Sequence, residues 1–246
     1  MEKILTVKNL CYTYGSGKKS VEALKGLDLS VDKGEIFGFI GPNGAGKTTT
    51  IKLLLGILIP AEGELAVFGK SPLIPETRRS VGYMPEIANY YRYLTPVELL
   101  HMYGSIFGLK KEALRERSRE LLELVGLGEE ANRIMRTFSK GMMQKVSFAQ
   151  ALINDPDLLI LDEPTGGLDP VARGRMRRVI NDLCGKGKTV FFSSHELSEV
   201  ELVSDRIGIL NKGRLMAIGP VKDLLGGKGE GQSLENYFLN MIEEKI

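Results

Sequence analysis

The sequence lacks the features that would reveal a partner by charge or by greasiness. No block of five or more like charges occurs, and 33 Lys and Arg nearly balance 31 Asp and Glu. Nucleic-acid surfaces are marked by basic clusters, so no nucleic-acid partner is expected. Only two cysteines are present, Cys11 and Cys184. They lack the close spacing of a metal or redox motif and read as two buried thiols in a reducing cytoplasm. The longest apolar run, Leu53 to Pro60, is far shorter than the roughly 20 residues that span a bilayer. The opening MEKILTVKNL has no apolar core of signal-peptide length. Any membrane role is therefore expected to come through another chain. Internal repeats, low-complexity tracts and interdomain linkers are also missing.

With 43% apolar and 26% charged residues, the chain can bury a core and is expected to fold as one unit over 1–246. Short apolar runs alternate with stretches of helical period, the pattern of an α/β fold with mainly parallel strands. Residues 1–35 differ. Ile4 to Val7 and Leu27 to Val31 read as short strands of a small antiparallel β-subdomain. Glu35 to Ile40 then reads as a buried strand, followed by a glycine-rich turn and a helix over Thr48 to Leu58 that ends near Gly56 and Pro60.

Between 88 and 156 strands give way to an inserted α-helical subdomain. Its first helix has Thr95 as N-cap, Pro96 at the first position and Glu98 closing a capping box; its second runs from Lys111 to Val125 and stops at Gly126. Leu158 to Leu161 and Thr189 to Phe192 read as strands around the helix Val171 to Leu183. Ile207 to Leu210 and Leu215 to Ile218 form a hairpin around Asn211, Lys212 and Gly213. The core thus takes residues 1–87 and 157–225, and 226–246 closes as an amphipathic helix.

The chemistry begins at GPNGAGKT, Gly41, Pro42, Asn43, Gly44, Ala45, Gly46, Lys47 and Thr48, which fits the phosphate-loop pattern between a strand and a helix. Backbone N–H groups from Asn43 to Thr49 can surround a β-phosphate, and the glycines allow the close approach. Lys47 would bridge the β- and γ-phosphates of ATP, and Thr48 would place its hydroxyl on Mg²⁺. The plainer reading is a turn that happens to end in Lys-Thr. In LLILDEP, Asp162 would hold the metal and Glu163 would polarise the attacking water, unless both merely end a strand. His195, at the end of another apolar run, would orient that water near the γ-phosphate, or else interact locally at a helix start. His101 falls in a helical pattern and reads as structural. Tyr14 offers a face for adenine, or packs within its strand.

These pieces arrive in one order: the aromatic, GPNGAGKT, VGYMPE, FSKGMMQ, LLILDEP, GGLDP and SSHEL. From end to end this order resembles the ATP-binding cassette (ABC) ATPases, which share a P-loop NTPase fold with a RecA-like core. The resemblance implies a head-to-tail dimer, of two copies or close paralogues. Each ATP lies between the phosphate loop of one subunit and a segment of the other that matches Ser139 and Gly141 here. It also implies that Asp169 links the two sites across the interface.

Two positions depart from the family pattern. The usual LSGGQ reads FSKGM, which puts Lys140 near the phosphate, and a glutamine that meets Mg²⁺ is replaced by Glu86. Both variants resemble the ATPase subunits of ABC-2 type exporters. The implied protein is a cytoplasmic ATPase held on the inner face of the cell membrane by an integral membrane permease. A soluble ABC ATPase of the iron–sulfur assembly type is the alternative. An importer is a lesser one, weakened because no regulatory domain is expected beyond Ile246.

Overall fold

The computed structural model describes residues 2–226 and 233–243; the parts of the expected C-terminal helix at 227–232 and 244–246 lie outside the described residues. In chain order the elements are β1 Lys3–Tyr14, β2 Val21–Asp32, β3 Ile36–Ile40, α1 Lys47–Leu54, β4 Glu62–Val67, α2 Pro75–Arg78 and β5 Val81–Met84. Then come three helices, α3 Pro96–Ile106, α4 Lys111–Leu124 and α5 Lys140–Ala151. The remainder is β6 Leu158–Asp162, α6 Pro170–Gly185, β7 Thr189–Ser194, α7 Leu197–Val203, β8 Arg206–Asn211, β9 Arg214–Pro220, α8 Val221–Gly226 and α9 Leu234–Glu243.

Two sheets result. The smaller is antiparallel in the order β2-β1-β4, and the larger runs β5-β6-β7-β3-β8-β9. All neighbours in the larger sheet are parallel except β8 and β9. Every residue of β3, IFGFI, is buried, as expected of a strand covered on both faces. The two-residue period sorts its side chains into two cores. Phe37 and Phe39 join Leu5, Leu27 and Ile51 against the antiparallel sheet, while Ile36 and Ile40 join the helical side with Leu100, Phe148 and Ile180. Gly38, between them, has a packing reason. A Cβ there would lie 2.6 Å from Val200 Cγ1, so only glycine lets α7 settle on the strand.

Register then sets the site. Ile40 pairs with Ser194, and Asp162 with Ser193. The segments that follow β3, β6 and β7 therefore leave the same edge of the sheet, where open α/β folds bind ligands.

The structure departs from the sequence-based expectations in several places. β1 and β2 are each 12 residues long rather than short, and their long antiparallel pairing is interrupted by register shifts. The helix α1 ends at Leu54 instead of reaching Leu58. Gly56 follows at φ 66°, where a Cβ would fall 2.4 Å from the Pro72 carbonyl oxygen and any side chain would clash. The two thiols are half-buried rather than buried; Cys11 Sγ accepts from Gly26 N–H and Cys184 Sγ donates to Gly34 O. The sequence reading has no counterpart for β4, which pairs with β1 from far along the chain, nor for the short α2, β5, α7 and α8.

Local signals were borne out elsewhere. Thr95 accepts from Glu98 N–H, and the Glu98 carboxylate accepts from Thr95 N–H, completing the capping box. Lys212 and Gly213 form the two-residue turn between β8 and β9, both at positive φ as such a hairpin turn requires.

Candidate functional site

A cleft of about 560 Å³ opens at this sheet edge, lined by Tyr14, by Pro42 through Thr49, and by Glu86, Asp162, Glu163 and His195. The loop from β3 to α1 turns through Gly44 and Gly46 at φ 77° and 112°, conformations that other residues adopt only under strain. The helix α1 then starts with no side-chain cap. Its first-turn N–H groups have no carbonyl one turn earlier to bond, so they and the helix dipole present a positive end to the cleft. The hairpin turn braces this loop from behind: Gly213 N–H donates to Ala45 O, and Lys25 N–H in β2 donates to Gly213 O.

Lys47 is buried at the mouth of the loop. Its ammonium donates to Gly41 O at 2.7 Å and lies 3.8 Å from a Glu163 carboxylate oxygen. The neighbouring Thr48 hydroxyl donates to Asp162 Oδ2 at 3.1 Å, and Ser193 Oγ donates to Asp162 Oδ1. Burial pushes the Asp162 carboxyl above the ordinary carboxylate range, and the two hydroxyl donors only partly restore it. The Asp162 carboxylate and the Thr48 hydroxyl together offer hard oxygen donors suited to a divalent cation.

Glu163 is held on a strained backbone, at φ 52°. Its surroundings fix that geometry: its N–H donates to Ser193 O and Oγ, while its carbonyl accepts from Gln144 Nε2 at 3.0 Å and from Gly166 N–H. The side chain is aimed at the cleft, with Oε2 2.8 Å from His195 Nδ1 and accepting from His195 N–H. Tyr14 sits at the far end, its hydroxyl 3.3 Å from Thr49 Oγ1 and its ring edge-on to Tyr12 at 4.8 Å.

The sequence matches the family model described as ABC transporter over residues 24–166. The chain belongs to the ABC transporter family. Among its relatives is the Nod factor export ATP-binding protein I of Cupriavidus metallidurans (strain ATCC 43123 / DSM 2839 / NBRC 102507 / CH34), 39% identical over 228 residues, 92% of this chain and 74% of that protein. A solved structure of the ATP binding subunit of an ABC transporter superposes with a TM-score of 0.87 at 33% identity, covering 97% of this chain and 99% of the other. A dimeric cassette in a post-hydrolysis state, bound to ADP and Pi, gives a TM-score of 0.82 at 26% identity, covering 88% and 98%.

Of the expected site residues of this ABC chain, Gly41 does not itself line the cleft but accepts from Lys47 through its carbonyl, and Ser139, Gly141 and Asp169 lie outside it. Ser139 is exposed and caps α5, its hydroxyl accepting from Met142 N–H, and Gly141 is half-buried in the first turn of that helix. Asp169 is exposed and caps α6; the hydrogen bond from Ala172 N–H holds its carboxyl below the usual range. The two helix starts are neighbours, since a Cβ on Gly141 would lie 3.3 Å from Gly167 O and the Lys140 stem packs along Gly167. His101 lies in α3 and does not line the cleft.

Sequence reading missed Ser193, Gln144 and Tyr90. Ser193 and Gln144 brace Asp162 and Glu163, and Tyr90 ties the loop after Glu86 to α5 through Ser147 and Gln150. Ser193 lies inside SSHEL and Gln144 ends FSKGMMQ, whereas Tyr90 falls in no motif.

Proposed function

We propose that this ABC chain is the ATP-hydrolysing engine of an exporter and drives a separate membrane permease. The observation that carries the reading is the meeting in one cleft of the Lys47 loop, the Thr48–Asp162 pair and the Glu163–His195 pair. The loop N–H groups and Lys47 bind the β- and γ-phosphates, and Tyr14 takes the adenine face. Thr48 Oγ and a buried Asp162 oxygen are hard donors at hydrogen-bond separation, which fits Mg²⁺, and Glu86 lines the same cleft. When bound, that ion neutralises charge on the β- and γ-phosphate oxygens. Glu163 accepts a proton from the water whose oxygen bonds to the γ-phosphorus as the bond to the bridging oxygen breaks. His195, fixed through Nδ1, keeps that carboxylate aimed.

The exposed starts of α5 and α6 explain why one copy is not enough. Ser139 and Gly141 face the γ-phosphate held by a second subunit, head to tail, and Asp169 crosses the same interface. A relative named for Nod factor export and a dimeric neighbour support this reading. Among the described residues no helix is long and apolar enough to cross a membrane. As an exporter subunit of this family, the chain works on the cytoplasmic face through its permease. The test is extraction of cell membranes with detergent and capture of the tagged chain. Recovery of an integral membrane protein together with ATPase activity is expected, and recovery of soluble assembly proteins alone would overturn the exporter.

A further inference from the structure

Two arginines on α6 reach the same neighbour in the same way but stand at different distances from the cleft. Arg177 Nη1 pairs with both carboxylate oxygens of Glu199, at 3.0 and 3.1 Å, in the body of α7. One turn earlier, Arg173 pairs with Glu196, the residue that follows His195 and precedes α7. Arg173 does something Arg177 does not: its Nε also donates to Leu168 O at 3.0 Å. Leu168 is anchored in the core at 5% exposure and leads directly into Asp169. One guanidinium therefore spans two segments, the loop that carries Asp169 and the strand end that carries His195. The second segment is itself pinned, because Glu196 N–H donates to Ser194 Oγ and His195 N–H to Glu163 Oε2.

We infer that Arg173 is a positioning residue for hydrolysis, fixing the His195 segment relative to the Asp169 loop so that Glu163 and His195 keep their geometry when a second subunit presses on that loop. The inference rests on the proposed function, since it gives Asp169 an interface and His195 a part in aiming Glu163. The chemistry suits arginine. A planar fork can satisfy a carboxylate and a carbonyl at once in a fixed arrangement, which a lysine ammonium on a flexible stem does not.

Arg177 provides a built-in control. The side chains of the two pairs are similarly exposed, 31% and 21% for Arg173 and Glu196 against 30% and 12% for Arg177 and Glu199. As partly exposed ion pairs, each is expected to shift Tm by no more than about 4 °C when broken. A purely structural role would make the two arginines equivalent, whereas a small displacement at a reacting centre is costly in rate.

The experiment compares Arg173→Met and Arg177→Met in the full chain, following ATPase kinetics, nucleotide binding with a fluorescent ATP analogue, and Tm. Arg173→Met is expected to lower kcat about tenfold with KM for ATP and analogue binding unchanged, while Arg177→Met keeps kcat and loses the same few degrees of Tm. Should Arg173→Met fail to fold, Glu196→Ala breaks the link from its other end, and Glu196→Gln, which keeps an acceptor oxygen, is expected to restore most of kcat. Equal kcat for the two arginine variants, or no recovery with Gln, would overturn the inference. A wild-type chain that turns over no ATP would instead overturn the proposed function.

Discussion

The residues expected at the site fall into two groups that the fold treats differently. Lys47, Thr48, Asp162, Glu163 and His195 come from three separate strand ends, yet they touch one another within a single cleft. Ser139, Gly141 and Asp169 sit at two neighbouring helix starts outside that cleft, and Ser139 and Asp169 are exposed with their side chains capping their own helices. The first group is assembled by a parallel sheet whose register leaves no choice. The second is displayed on a surface, where the proposed function would place a second subunit. On the proposed function, the first group would serve nucleotide binding by one chain and the second would serve hydrolysis by a pair.

The largest expected effect lies in the first group. Lys47→Ala removes the ammonium proposed to meet the phosphates and is expected to cut kcat/KM by about three orders of magnitude, with nucleotide binding lost in titration; retained binding would break the assignment. Glu163→Gln comes next. The amide cannot accept the proton, so turnover should fall about a thousandfold while ATP binding persists and a dimer accumulates with ATP on gel filtration. Loss of binding together with turnover would show that Glu163 holds the nucleotide rather than the water.

The first group was legible because each member lies in a short contiguous signal. GPNGAGKT between a buried strand and a helix needs no long-range knowledge, and neither does an acid pair at the end of LLILD. What supports those residues was not legible. Gln144 reaches the Glu163 carbonyl across 19 positions and Ser193 reaches Asp162 across 31, contacts that depend on strand register and helix placement. The unexpected strand β4 illustrates the same limit. Its sequence, EGELAV, is exposed over its first half and carries little apolar pattern, and it becomes a strand by pairing with an edge of β1. Arg173 and Glu196 read as ordinary surface charges until α6 and α7 are laid side by side.

For the second group, Ser139→Ala is expected to leave nucleotide affinity of the single chain unchanged and to slow steady-state hydrolysis about tenfold. The substitution also removes an N-cap, so its rate must be read beside that of Ser139→Asn, which keeps the cap but not the hydroxyl. Slow turnover in both variants ties the loss to what the helix start offers a second subunit. A drop in affinity measured on the isolated chain would place Ser139 with the first group and dissolve the comparison.

The smallest effect probes whether the two groups are mechanically independent. The helix α3 shares a core with α5 through Leu99, Leu100, Val146 and Phe148, and its start depends on the Thr95–Glu98 box. Thr95→Ala deletes one half of that box and is expected to cost about 1 kcal/mol, lowering Tm by about 2–4 °C. The first group lies at or just beyond the ends of β3, β6 and β7, none of which carries that cap. Nucleotide affinity should therefore stay at the wild-type value while Tm falls. A parallel fall in affinity would mean that the helical segment helps shape the cleft from within one chain, through the Tyr90 link to Ser147 and Gln150, and that the two groups are not separate after all.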